Sequence, residues 1–246
     1  MGYFLTIAAS DTSGGAGVYQ DLKVAQYYGF WGLSALTAIT SQDFTTVYSV
    51  TPLEKEVFEK QLQCLLKSFK PDCIKIGLVP NVEILDIIYY YLQKASTYVV
   101  LDPVFQSSSG FGFIDDSYIA LLKKSLSDCV SVITPNSNEL ARLIGENNLD
   151  YKRAIEAAKM IVKQYNCDLY VKGGHFSGNL IQEAYISAKD CYEFEYVRQH
   201  WAYSHGTGCA FSSALAINRI LHTDIKKVLQ ESHYYVNEFY EALNKI

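Results

Sequence analysis

No cluster of lysine and arginine occurs in the 246 residues, and 21 basic side chains face 26 acidic ones, for a formal charge of −5. A duplex-binding surface needs such a cluster to displace counterions, so nucleic acid and a polybasic membrane patch are not expected partners. No apolar stretch reaches the roughly 18 residues of a membrane span; Asp86 interrupts the best run, Ile84 to Leu92. The start, Met1-Gly2-Tyr3-Phe4-Leu5, has neither a basic leader nor a cleavage site and does not read as a secretory signal. Gly2 and Thr6 match an acylation pattern, but Tyr3 to Ala8 reads better as a first buried strand. The six cysteines form no Cys-x-x-Cys pair and have no histidine at zinc spacing. They read as core thiols of a reducing compartment, so the expected location is cytoplasmic. Gly-x-x-x-x-Gly-Lys-Ser/Thr is absent, which excludes a P-loop NTPase. No linker, charge block or repeat divides the chain, so residues 1–246 are expected to form a single domain.

What is present is alternation. Strand-like runs fall at Tyr3–Ala8, Ile74–Val79, Tyr98–Leu101, Val130–Thr134 and Leu169–Lys172. Between them, apolar residues recur at helical spacing: Val18 to Tyr28 with Gly29 as a stop, Phe58 to Phe69 with Pro52 near its start, and Val82 to Ala95. Ile119–Leu126, Ala154–Ile161 and Ala210–Ile220 also read as helices, and Thr223 or Asp224 can cap a last one. Leu180–Ile186 and Tyr192–Val197 have no helix between them and suggest a hairpin. Strands alternating with helices predict an α/β fold with a mainly parallel sheet covered on both faces. In such sheets ligands bind beyond the carboxyl ends of the strands. The twenty tyrosines, three of them in series at 89–91, read as packing or an oligomer face.

Those strand ends carry polar loops. Ser10-Asp11-Thr12-Ser13-Gly14-Gly15-Ala16-Gly17 follows the first strand, Asp102 ends the third, and Asn136-Ser137-Asn138-Glu139 follows the fourth. Lys172-Gly173-Gly174-His175 and His205-Gly206-Thr207-Gly208-Cys209 complete the set. Asn136 and Glu139 are spaced for a capping box as well as for a metal site. Gly206, Thr207 and Gly208 permit a tight turn with convergent amides at a helix start, a place for an anion. Cys209 at that helix start is expected to have a thiol pKa below about 8.5. A small core cysteine in a first helical turn fits the same position, and the sequence leaves both readings open.

Taken in order, Ser-Asp-x-Ser-Gly-Gly-Ala-Gly, Lys-Ile-Gly, Leu-Asp-Pro-Val, Thr-Pro-Asn-x-x-Glu, Val-Lys-Gly-Gly-His and His-Gly-Thr-Gly-Cys resemble the hydroxymethylpyrimidine/phosphomethylpyrimidine kinases of thiamine biosynthesis, members of the ribokinase-like superfamily. The blocks span about residues 3 to 220. The resemblance implies a three-layer αβα ribokinase-like fold and an ATP- and Mg²⁺-dependent kinase. Its substrate would be 4-amino-5-hydroxymethyl-2-methylpyrimidine, then the monophosphate. It implies that Asp21 and Gln42 bond the aminopyrimidine, that Leu78 and Val104 wall its ring, and that Ala9 lies beside it. Asp102 and Glu139 would order Mg²⁺, Lys172 and Asn136 would meet the nucleotide phosphates, and residues 206–208 would form the anion loop. Cys209 would take the base position, and a homodimer is the family's habit.

The sequence departs from the family pattern on the substrate side. Ala9 stands in place of glycine, Leu78 of methionine, Asp43 of asparagine and Ala210 of threonine, and the usual Gly-rich tail is missing. Two rivals follow. A pyridoxine/pyridoxal kinase would use the same phosphate groups on another flat heterocycle bearing a primary alcohol. A non-catalytic pyrimidine-binding sensor would have no use for Asp102, Glu139, Lys172 and Cys209.

Overall fold

The computed structural model describes residues 1–93, 96–105, 118–119, 121–123, 129–174, 176 and 179–245. Nine strands form one sheet: β1 (Tyr3–Ser10), β2 (Trp31–Gln42), β3 (Val47–Pro52), β4 (Cys73–Ile76), β5 (Tyr98–Leu101), β6 (Val132–Ile133), β7 (Asp168–Val171), β8 (Leu180–Ile186) and β9 (Cys191–Val197). Their order is β3-β2-β1-β4-β5-β6-β7-β8-β9. Pairing is parallel from β2 through β7, with β3 antiparallel at one edge and β8 and β9 antiparallel at the other. The described helices are α1 (Gly17–Tyr27), α2 (Lys55–Ser68), α3 (Val82–Leu92), α4 (Ser137–Ile144), α5 (Tyr151–Tyr165), α6 (Thr207–Leu221) and α7 (Ile225–Leu243). None is long and apolar enough to cross a membrane.

The strand period of two explains the layers. Leu5, Ile7, Ile74, Ile76, Val99, Leu101, Ile133, Leu169 and Val171 join one core with side chains of α2, α3, α4 and α5. Their sequence neighbours Phe4, Cys73, Val100, Val132 and Tyr170 point the other way, into a second core with α1, α6 and α7. Both faces of the central strands are thus buried, as their uninterrupted apolar runs require. Helix α6 is the most enclosed, with every residue from Ala210 to Asn218 buried. Its alanines and serines let it lie close to β4 and β5, with α1 and α7 on its flanks.

Most elements fall where the sequence places them, including the β8–β9 hairpin and the Asp224 cap, whose carboxylate accepts from the Lys226 N–H at 3.0 Å. Strands β2 and β3 have no counterpart in the predicted elements. β2 mixes Ser34, Thr37 and Thr40 into its apolar positions, and β3 is an edge strand open on most of its length. Pro52 ends β3, three residues before α2 starts at Lys55. Ala95, His175 and four of the eight residues of the predicted 119–126 helix lie outside the described residues; 119 and 121–123 are helical.

The site follows from the strand order. β1 pairs with β2 on one side and β4 on the other, so the chain reverses its direction of travel across the sheet there. The loops leaving β1 and β4 diverge and leave a crevice at their carboxyl ends.

Candidate active site

The loop after β1 is wound around Asp11. Its carboxylate accepts from the Ser13 N–H at 2.8 Å, the Ser13 hydroxyl at 2.7 Å and the Ala16 N–H at 2.7 Å. His205 Nε2 donates to it from the loop before α6 at 2.9 Å. Burial opposes the charge, but the bonds from His205, Ser13 and Gln42 hold the carboxyl well below the usual carboxylate range. Two glycines allow the loops to meet backbone to backbone. Gly206 has φ +84°, and a Cβ there would lie 1.9 Å from the Gly15 carbonyl oxygen. Gly17 has φ +56°, and its Cβ would lie 2.3 Å from the Ala9 oxygen. Neither position accepts a side chain.

Helix α6 begins at Thr207, so the first-turn amides, which lack intrahelical acceptors, open onto the crevice. Cys209, Ser212 and Ser213 share one face of this helix at i, i+3 and i+4. The Ser212 hydroxyl lies 3.1 Å from Asp102 Oδ2, and the Ser213 hydroxyl donates to Asp21 Oδ1 at 2.8 Å. Each of these aspartates is paired with a lysine. Lys75 reaches both oxygens of Asp21, at 3.0 and 2.9 Å, and Lys172 reaches Asp102 Oδ1 at 2.6 Å.

Lys172 also lies 3.8 Å from Glu139 Oε2. Asn136 and Glu139 form the capping box of α4: Asn136 Oδ1 accepts from the Glu139 N–H at 2.9 Å, and Glu139 Oε2 accepts from the Asn136 N–H at 2.8 Å. Burial pushes the Glu139 carboxyl up to about 7; Asp102 adds to the rise, and Lys172 and the Asn136 N–H limit it. Burial also opposes the charge of Asp102, yet Lys172, Lys75 and Ser212 together hold it below the usual range. Among the described residues no group of three or more side chains could hold a metal. Two buried carboxylates fit Mg²⁺, which takes one or two such ligands and completes its shell with water and substrate phosphate.

Cys209 corrects an expectation. Its thiol is pushed up to about 11, first by burial, with Asp21 and Asp102 adding to the rise against Lys75 and the Gly17 N–H. The resting thiol keeps its proton at neutral pH. The helix start that the sequence reveals is outweighed by burial, which only the fold brings about.

One cavity of about 1230 Å³ gathers these groups. Ala9, Gln42, Leu78, Val104, Asp102, Asn136, Glu139, Lys172, Gly206, Thr207, Gly208 and Cys209 all line it. Asp21 does not. It is fully buried behind the wall, and Thr6 (2.5 Å), Lys75 and Ser213 already occupy its oxygens. A direct bond from Asp21 to a substrate is therefore withdrawn. Conversely, Lys75 lines the cavity and stands in none of the expected roles. Its place explains the Lys-Ile-Gly block, because a Cβ on Gly77 would lie 2.9 Å from the Lys75 ammonium.

The cavity extends over β8 and β9 to α7, a part the sequence did not reveal. Glu183 on β8 accepts from the Tyr170 hydroxyl at 2.6 Å and the Gly173 N–H at 3.0 Å, and His233 Nε2 lies 3.1 Å from it. The signal was weak, since Glu183 sits among apolar strand residues and His233 within a polar helix face. The volume exceeds that of a pocket for one small ligand, roughly 300–1,000 Å³.

Comparison with known proteins gives a consistent picture. A family model described as phosphomethylpyrimidine kinase matches residues 11–245. The hydroxymethylpyrimidine/phosphomethylpyrimidine kinase of Aquifex aeolicus is 31% identical over 243 residues, covering 98% of this chain and 95% of that protein. The structure of phosphomethylpyrimidine kinase from Clostridium difficile 630 superposes with a TM-score of 0.83 at 30% identity, over 97% of this chain and 99% of that one. Pyridoxal kinase from Staphylococcus aureus in complex with pyridoxal superposes with a TM-score of 0.88 at 29% identity, over 98% and 88%. A further structure of that enzyme holds AMP-PCP and pyridoxal together.

Proposed function

Since the chain belongs to the phosphomethylpyrimidine kinase family, we propose that its cavity binds ATP beside 4-amino-5-hydroxymethyl-2-methylpyrimidine and transfers the γ-phosphoryl group to the hydroxymethyl oxygen. It is a kinase of thiamine biosynthesis with a ribokinase-like α/β fold. A second transfer, to the resulting monophosphate, belongs to the same proposal. The observation that carries the reading is the convergence of Lys172, Asp102, Glu139 and the 206–209 amides on one cavity large enough for both substrates.

Phosphoryl transfer needs charge neutralisation and in-line positioning more than covalent help. The α6 amides and the Lys172 ammonium neutralise the transferring group, and Asn136 fixes the start of α4 beside it. Asp102 and Glu139 would hold Mg²⁺, directly or through water, and the ion would supply further charge on the phosphate oxygens. Leu78 and Val104 offer apolar walls to a flat ring, and the Gln42 amide can donate and accept at its edge. Cys209 lies at the anion loop, where the attacking hydroxyl must lose its proton. In this reading residues 1–246 act as one domain, in the cytoplasm, as a homodimer; exposed Tyr27 and Tyr234 leave aromatic surface for a second copy.

The fold match to a pyridoxal-bound kinase favours one second reading, phosphorylation of pyridoxal. Parallel steady-state assays with hydroxymethylpyrimidine, its monophosphate and pyridoxal, with products identified by mass spectrometry, decide between them. The proposal expects higher kcat/KM for hydroxymethylpyrimidine and a diphosphate product; a preference for pyridoxal overturns it.

A further inference from the structure

Lys75 is a cation where a strand interior should be apolar. It lies on β4 between Ile74 and Ile76, both of which enter the core on the opposite face of the sheet. Its ammonium is fully buried, and burial alone would drive the charge off. Asp21 holds it on with two bonds, and Asp21 is in turn held by Thr6 and Ser213. Ser213 is one helical turn beyond Cys209 on the same face of α6. The network thus reaches the face of α6 that carries the thiol, and both Lys75 and Cys209 line the cavity. A structural ion pair has no need to reach a cavity wall. Gly77 leaves room for the ammonium, since a Cβ there would lie 2.9 Å from it.

We propose that Lys75, clamped by Asp21, is a positioning residue for Cys209: a fixed positive charge that favours the thiolate at the point where the substrate hydroxyl is deprotonated. This rests on the kinase reading above. In the step it serves, the Cys209 thiol first gives up its proton to water; the hydroxyl O–H then breaks and its proton goes to the thiolate sulfur, while the oxygen forms a bond to the γ-phosphorus. The bond from that phosphorus to the bridging oxygen breaks, and ADP leaves with the electron pair. The titratable groups around the thiol come from several elements: Lys75 on β4, Asp21 on α1, Asp102 after β5, Lys172 after β7, and the Tyr240 hydroxyl on α7. Lys75 pulls the titration of the thiol down, and Asp21 and Asp102 push it up.

The test is alkylation of Cys209 by iodoacetamide in the ligand-free, full-length protein, read by peptide mass mapping so that exposed Cys64 and Cys191 do not contribute. Sulfur displaces iodide, so the rate reports the thiolate fraction. Lys75→Met is expected to slow Cys209 by about tenfold at pH 9, one unit of thiol pKa. Asp21→Asn is expected to speed it. Lys75→Met leaves Asp21 buried alone, so the neutral double variant Lys75→Met/Asp21→Asn serves if the single one fails to fold. The double variant is expected to react more slowly than wild type, with kcat lowered and the KM for ATP unchanged. A double variant alkylated as fast as wild type, or faster, overturns the proposal. Because no substrate is present during alkylation, that failure is distinct from a failure of the substrate assignment, which the product panel reads.

Discussion

Lys75–Asp21 and Lys172–Asp102 flank the start of α6, each tied to it by a serine, Ser213 in one case and Ser212 in the other. They differ in access. The side chains of the first pair are 0% and 0% exposed; those of the second are 15% and 2% exposed. In the closed pair Asp21 has a full set of donors and no freedom to change partner. In the open pair the ammonium stands between Asp102, Glu139 and the place where a Gly208 side chain would start, 3.4 Å away. A lysine with alternatives can move from carboxylate to phosphate, and a lysine without them can only lend its field. In the proposed mechanism the same two residue types serve as machinery in one place and as a fixed charge in the other.

The comparison breaks most readily at the closed pair. Lys75→Met strands a buried carboxylate and is expected to lower unfolding free energy by about 3–5 kcal/mol, with most of it recovered in Lys75→Met/Asp21→Asn; urea denaturation reads both. The open pair is expected to fail in the other sense. Lys172→Met should lower the urea midpoint less than Lys75→Met does, because the open site admits water beside Asp102, and should reduce kcat by roughly 10²–10³-fold, as loss of a charge-stabilising donor does. A smaller effect separates Glu139 from its neighbours. Its carboxyl is raised to about 7 in the folded chain, so the folded state binds more protons than the unfolded state between about pH 4.5 and 7. Its contribution to stability is complete below that window and is lost as pH rises through 7. Wild type should lose about 1–3 kcal/mol more than Glu139→Gln between pH 5 and 8, and equal slopes would remove Glu139 from this account.

The two pairs were unequally legible in the sequence. Asp102, Asn136, Glu139 and Lys172 each follow a short apolar run, so the rule that ligands gather at strand ends finds them without coordinates. Lys75 lies inside such a run, and an isolated lysine there carries no positional signal until the sheet shows which face it occupies. Asp21 was legible as chemistry but not as place. It follows the glycine loop at helical spacing, and only the packing of α1 against α6 turns it away from the cavity. The acidity of Cys209 failed for the same reason, because burial decides it and distant parts of the chain do the burying. The parallel core was readable from apolar runs, whereas β2, with small polar residues inside, and the open edge strand β3 were not.

The central claim is that charge neutralisation at the anion loop, more than proton removal, carries the transfer. A Cβ at Gly208 makes only ordinary contact with Lys172, so valine there fits the backbone and fills the anion place. Measuring kcat for Gly208→Val and Cys209→Ala with hydroxymethylpyrimidine and ATP tests the claim directly. The account predicts measurable turnover for Cys209→Ala, down by about 10²–10⁴-fold at most, and a deeper loss for Gly208→Val. Equal losses, or a Gly208→Val enzyme more active than Cys209→Ala, would contradict it.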